Sequence, residues 1–177
     1  MRIPKMITVR QPWASLSVYG YVDNSGSLAF KDVENRSWAP RYQGRLLIHA
    51  GQRVDHEGLD LMENLGITLA GPMHHGVILG SVDVGEIIRS SPSVWAEEGM
   101  FHWVQTNPTP ARRLLEVTGF QGLRDAPADW GRAFTAADLS PVGMRLSRVR
   151  AAEAPAMELL QRPSSPADRL TDLLRGL

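Results

Sequence analysis

The run Val77-Ile-Leu-Gly-Ser-Val-Asp-Val-Gly-Glu-Ile-Ile88 constrains this chain more than any other. It is rich in β-branched residues and contains no proline, so it reads as one long strand. Such a strand does not stand alone. Its N–H and C=O groups need partners, and its apolar side chains need cover. The sequence offers both. Met6 to Arg10, Asp32 to Trp38, Arg45 to Ala50, Phe101 to Thr106 and Leu114 to Thr118 also read as strands. Helical patterns are fewer. One opens at Gln11-Pro12-Trp13, with proline in the first turn and Gly20 placed to end it. Another runs from Asp55 to Leu65 with Leu59, Met62 and Leu65 inward. Tyr21 to Phe30 reads as an inserted loop or small hairpin, Gly71 to Gly76 as a loop, and Ser93 to Gly99 as a turn or short helix.

Many strands, few helices and regular glycines predict an α+β, mainly β fold built on a small β-barrel with flanking helices. The domain is expected over residues 1–123. Residues 124–177 read as a C-terminal, partly helical extension, packed on or flanking the barrel. That segment is rich in Ala, Arg, Asp and Pro. Its end, Ala167 to Leu177, carries Leu170, Leu173, Leu174 and Leu177 at helical spacing.

Composition narrows the function. There is no cysteine, which excludes disulfides, thiolate nucleophiles and cysteine-ligated zinc. No apolar run approaches the roughly 20 residues of a membrane span, and the first residues lack the apolar stretch of a secretory signal. A cytoplasmic location without membrane association is the expectation. Nineteen basic and nineteen acidic residues balance, so a protein that coats duplex nucleic acid through a general basic excess is not indicated. A local patch or a single-nucleotide site remains open.

The charged residues of interest cluster. Lys31, Glu34 and Arg36 lie within one short segment, and Lys31 is one of only two lysines, with Lys5. A period of two puts Glu34 and Arg36 on one face of a strand, with Asp32 and Trp38. Such a set is either an ordinary ion pair, worth about 0–1 kcal/mol if exposed, or an ionic network lining a cleft. Trp13 and Trp38 flank it and could stack on a base, a contact worth about 1–3 kcal/mol. Buried core is the plainer fate of an indole, and Trp103, within an apolar strand, reads as core. No histidine pair has the spacing of a metal site on one element. His49 and His102 read as structural histidines first and as site residues second. No Walker A loop, dinucleotide-binding glycine fingerprint or nucleophile elbow is present.

Taken in order, these blocks resemble the ASCH domain family, named for homology to the activating signal cointegrator. Gln11-Pro12-Trp13-Ala14, then Gly20 ahead of Lys31-x-x-Glu34-x-Arg36, resembles that family's Gly-x-Lys-x-x-Glu-x-Arg motif. Gly44-Arg-Leu-Leu-Ile-His49-Ala resembles its second block, and Gly76 to Asp83, Trp95 to Gly99, Phe101 to Val104 and Gly119 to Leu123 its later strands. The resemblance implies a PUA-like barrel and a cleft lined by Gln11, Pro12, Trp13, Lys31, Glu34, Arg36, Trp38 and His49. It further implies binding of RNA, DNA or a modified nucleotide. Some members resemble nucleic-acid binders, whereas others are ribonucleases or amidohydrolases that deacylate a modified cytidine. The alternative for this chain is therefore a hydrolase acting on an acylated base or on RNA, with Lys31 and Glu34 catalytic. In the amidohydrolase branch the position matching Glu34 is a threonine nucleophile, so this chain departs there. The residues between Gly20 and Lys31 are a second departure. No cofactor or metal is expected. A further alternative is a protein-interaction module acting through the C-terminal helix.

Overall fold

The structure, a computed structural model, describes residues 3–136 and 138. The expected helix at Ala167 to Leu177 lies outside the described residues. The fold is mixed α/β and mostly strands. In chain order, β1 (Lys5–Gln11), α1 (Trp13–Val18), β2 (Tyr21–Val22), β3 (Leu28–Ala29), β4 (Val33–Arg36), β5 (Gly44–Val54), α2 (His56–Leu65), β6 (Thr68–Leu69), β7 (Val77–Ile88), β8 (Phe101–Glu116) and β9 (Leu123–Asp125) precede a 3-10 turn at Trp130–Ala133.

The expected long strand, β7, is central. The six-stranded sheet runs β4-β8-β7-β5-β1-β9, with β1 parallel to β5 and the other pairs antiparallel. Leu114 to Thr118 is not a separate strand: its first three residues are the far end of β8, which stops at Glu116. Pro108 and Pro110 punctuate the sequence, yet β8 continues through them. Asn107 takes a φ of 50°, and the register against β7 shifts between Ser81 and Asp83. A bulge is where a strand tolerates proline.

Alternation gives the sheet two apolar faces. On one, Ile7, Val9, Leu46, Ile48, Val82, Val84 and Trp103 form a core with Ala14 and Val18 of α1. On the other, Met6, Leu47 and Ile78 are covered by Ala126, Ala133 and Phe134. β9 and the 3-10 turn thus extend the fold beyond Gly122, where the sequence alone changes character. A third cluster joins the outer side of α1, through Leu16, to Tyr21, Val33, Met62, Ile67 and Trp95.

The segment inserted after Gly20 folds as a hairpin, β2 with β3, and β6 completes a three-stranded sheet with it. Gly20 ends α1 at φ +79°, a conformation costly for other residues. Gly80 has a different reason to be glycine. A Cβ there would meet Val18 Cγ1 at 2.6 Å and the carbonyl oxygen of Thr109, so it lets α1 lie close on β7.

Candidate functional site

The charged set sits on the core-lining face of the large sheet. Opposed residues of an antiparallel pair share a face. Glu34 stands opposite Trp103, and Arg36 opposite Phe101. Trp103 is wholly buried in the core, and Glu34 beside it is 5% exposed. The expectation that Glu34 and Arg36 project together therefore holds, but toward the interior rather than onto an open surface.

Glu34 is the centre of the network. Lys31 Nζ donates to its Oε2 at 2.9 Å and also to the Val33 carbonyl. Arg36 Nε donates to its Oε1 at 3.0 Å, and the same guanidinium donates to the Thr8 carbonyl at 3.2 Å. That last bond is informative about the sheet. β4 is an edge strand, and β1 lies at the far side next to β9. The sheet must curl for a β4 side chain to reach β1, so Arg36 spans the opening between them.

Burial raises the Glu34 carboxyl pKa. The charges of Lys31 and Arg36, with their hydrogen bonds, outweigh it and hold the carboxyl below the ordinary glutamate value. The carboxylate is therefore ionised at neutral pH with both oxygens occupied. Lys31 is 4% exposed. The Arg36 side chain is 26% exposed, which makes it the member of the set that meets solvent.

Trp38 follows β4 rather than belonging to it. Its ring lies edge-on to Trp103, 4.8 Å between centroids, and it is 36% exposed. Trp103 donates its indole N–H to the Trp38 carbonyl at 3.3 Å. One ring is thus core, and its neighbour, two residues after Arg36 in sequence, is a partly exposed indole.

The remaining expected site residues are each held by the surrounding chain. Gln11 is fully buried. It donates to the His74 carbonyl at 2.8 Å and accepts from the Ser15 N–H at 3.1 Å. Pro12 follows it through a cis peptide bond. Trp13 donates to Asp55 at 3.1 Å and packs edge-on against Trp95. His49 has both ring nitrogens answered by protein. Its Nε2 faces the Val117 carbonyl at 2.8 Å, which only accepts, so Nε2 carries the proton. Nδ1 then accepts from the Thr8 hydroxyl at 3.1 Å, whose oxygen accepts from the Phe120 N–H. Burial lowers the His49 pKa against the opposing pull of backbone hydrogen bonds, so the ring is neutral.

His102 is tied likewise, through Nδ1 to Asn35 Oδ1 at 2.9 Å. Among the described residues no group of three or more His, Cys, Asp or Glu could hold a metal ion.

One residue escaped the sequence reading. Gln105, on β8, is 5% exposed, and neither amide atom has a hydrogen-bond partner among the described residues. Its backbone N–H donates to the Asp32 carbonyl at 2.7 Å, which places it against the segment carrying Lys31. Gln105 is one of several polar residues along β8, so the sequence gives no signal for this. Burial of a neutral amide is set by what packs over it.

No helix among the described residues is long and apolar enough to cross a membrane. Compared against known protein families and against curated proteins, the chain finds no match.

Proposed function

We propose that this chain is an ASCH-type, PUA-like module that binds RNA, DNA or a modified nucleotide at the Lys31–Glu34–Arg36 network. The observation that carries the reading is the geometry of Glu34. A structural ion pair needs one cation, whereas this buried carboxylate is clamped by two. The second cation, Arg36, remains partly exposed, and Trp38, two residues on in sequence, is partly exposed as well. A guanidinium fixed by a carboxylate presents its remaining N–H groups in a set direction, which suits a phosphate or a base edge. An indole beside it suits the flat face of a base.

Hydrolysis is the weaker reading. Lys31 donates to the Val33 carbonyl and to Glu34, so it acts in this arrangement as a donor rather than a proton acceptor. Both Glu34 oxygens are likewise engaged. The set is better built to hold a ligand than to move its protons.

Tryptophan fluorescence, titrated with nucleoside monophosphates and with short single-stranded RNA and DNA, tests the proposal. Arg36→Ala is expected to weaken binding at least tenfold. Equal affinity in wild type and variant overturns the site. Turnover of acylcytidines or RNA that is lost in Lys31→Ala would move the reading to the hydrolase.

A further inference from the structure

Gln105 is buried on β8. Its Nε2 and Oε1 both lack a partner among the described residues, and so does Ser17 Oγ. Other buried amides and imidazoles of this fold, on Gln11, His49 and His102, are paired. An orphaned buried polar atom forfeits its bonds to water and gains none in return. Two on one side chain call for something else to answer them.

The position says what that is. Gln105 shares the sheet face of Trp103, two residues away, and Trp103 stands opposite Glu34. Gln105 meets Asp32 through its backbone N–H. From the other side, the Lys31 N–H donates to the Leu16 carbonyl at 3.0 Å, which brings the Ser17 turn of α1 to the same segment. The unanswered atoms and the charged network therefore border one stretch of chain, Lys31 and Asp32.

We infer that Gln105 reads the base of the bound nucleotide, its Oε1 accepting from and its Nε2 donating to a neighbouring donor–acceptor pair on the heterocycle, with Ser17 Oγ as an added contact. A carboxamide matches such an edge with two hydrogen bonds. This rests on the nucleotide-binding reading above and deepens it: the base turns its hydrogen-bonding edge inward to Gln105, and the sugar and phosphate stay outside at Arg36. Both amide atoms are closed off from solvent, so binding requires the side chains that cover them to move aside.

The test uses the full chain and Gln105→Met, which keeps volume and removes the amide. Three quantities are measured: thermal midpoint, affinity for cytidine and adenosine, and affinity for ribose 5-phosphate as a base-free probe. The expected result is a raised midpoint, at least a tenfold loss of affinity for the nucleosides, and unchanged affinity for ribose 5-phosphate. Unchanged nucleoside affinity overturns the inference. A lowered midpoint with unchanged affinity also overturns it and assigns the amide to the fold through a trapped water. If wild type binds ribose 5-phosphate but no nucleoside, the inference falls while the anion site stands. If wild type binds neither, the functional reading falls and takes the inference with it. Should Gln105→Met fail to fold, Gln105→Asn keeps the amide one methylene short. The same tenfold loss is expected from it, and full affinity overturns the inference.

Discussion

His49 and Glu34 are both buried in the large sheet, and both are tied to Thr8. His49 meets the Thr8 hydroxyl, whereas Glu34 reaches the Thr8 carbonyl through Arg36. The two regions differ in what they leave over. Around His49 every donor has an acceptor, all groups are neutral, and the partners are backbone atoms or a hydroxyl. Around Glu34 the groups are charged, one cation is partly exposed, and an amide with unpaired atoms adjoins the same segment. A closed neutral network holds strands together and asks for nothing else. Charges are costly to bury, and a hydrophobic replacement would often serve stability as well or better. Retaining them on an edge strand is what the proposed binding site would require.

The largest expected effect comes from breaking the charged set at its centre. Glu34→Ala leaves the Lys31 charge buried without its carboxylate and should lower stability by about 3–5 kcal/mol, as is usual for one partner of a buried pair. Urea denaturation measures this, and a loss below about 1 kcal/mol would mean that Lys31 escapes to solvent. Lys31→Ala carries a penalty of the same kind. On spacing alone that change looks harmless to folding, and its burial makes it otherwise.

On the other side of the comparison, His49→Leu should cost about 1–3 kcal/mol, because the Val117 carbonyl loses its donor. It should leave ligand affinity at the wild-type value. A large loss of affinity in a folded His49→Leu would erase the distinction between the two regions.

Trp38→Ala is expected to be smaller still for stability, since the ring is partly exposed. It should weaken ligand binding by about 1–3 kcal/mol if the indole stacks on a base. Calorimetric titration reads this directly.

Stability against pH should separate the regions as well. The His49 pKa is lowered on folding, so its contribution is present above the unfolded value of about 6.5 and is lost as pH falls through the folded value. The Glu34 pKa is also lowered, so its contribution is present above about 4.3 and is lost as pH falls further. Two acid-side losses are predicted, the first absent in His49→Leu and the second reduced in Glu34→Gln. A single loss unaffected by either variant would contradict the assignment.

Much of this architecture is written in local patterns. β7 and β5 are apolar enough to be recognised alone, and the period of two on β4 correctly paired Glu34 with Arg36. The course of β8 was hidden because Asn107-Pro108-Thr109-Pro110 reads as punctuation, and only the bulge opposite β7 lets the strand continue. The inward direction of the charged residues was hidden too. Alternation says which side chains share a face, but not which face the sheet closes over. That depends on α1 and on the reach of Arg36 to β1. Gln11 and His49 sit close to the charged residues in sequence pattern, yet their hydrogen bonds go to the backbone of distant loops, at His74 and Val117. Contacts of that range leave no local signature.

The most direct test of the central claim is a crystal structure of the protein with a nucleoside monophosphate bound. The account predicts the ligand in hydrogen-bond reach of the Arg36 guanidinium, with Trp38 against its face or sugar. A nucleotide bound elsewhere, with Lys31, Glu34 and Arg36 untouched and unmoved, would contradict it.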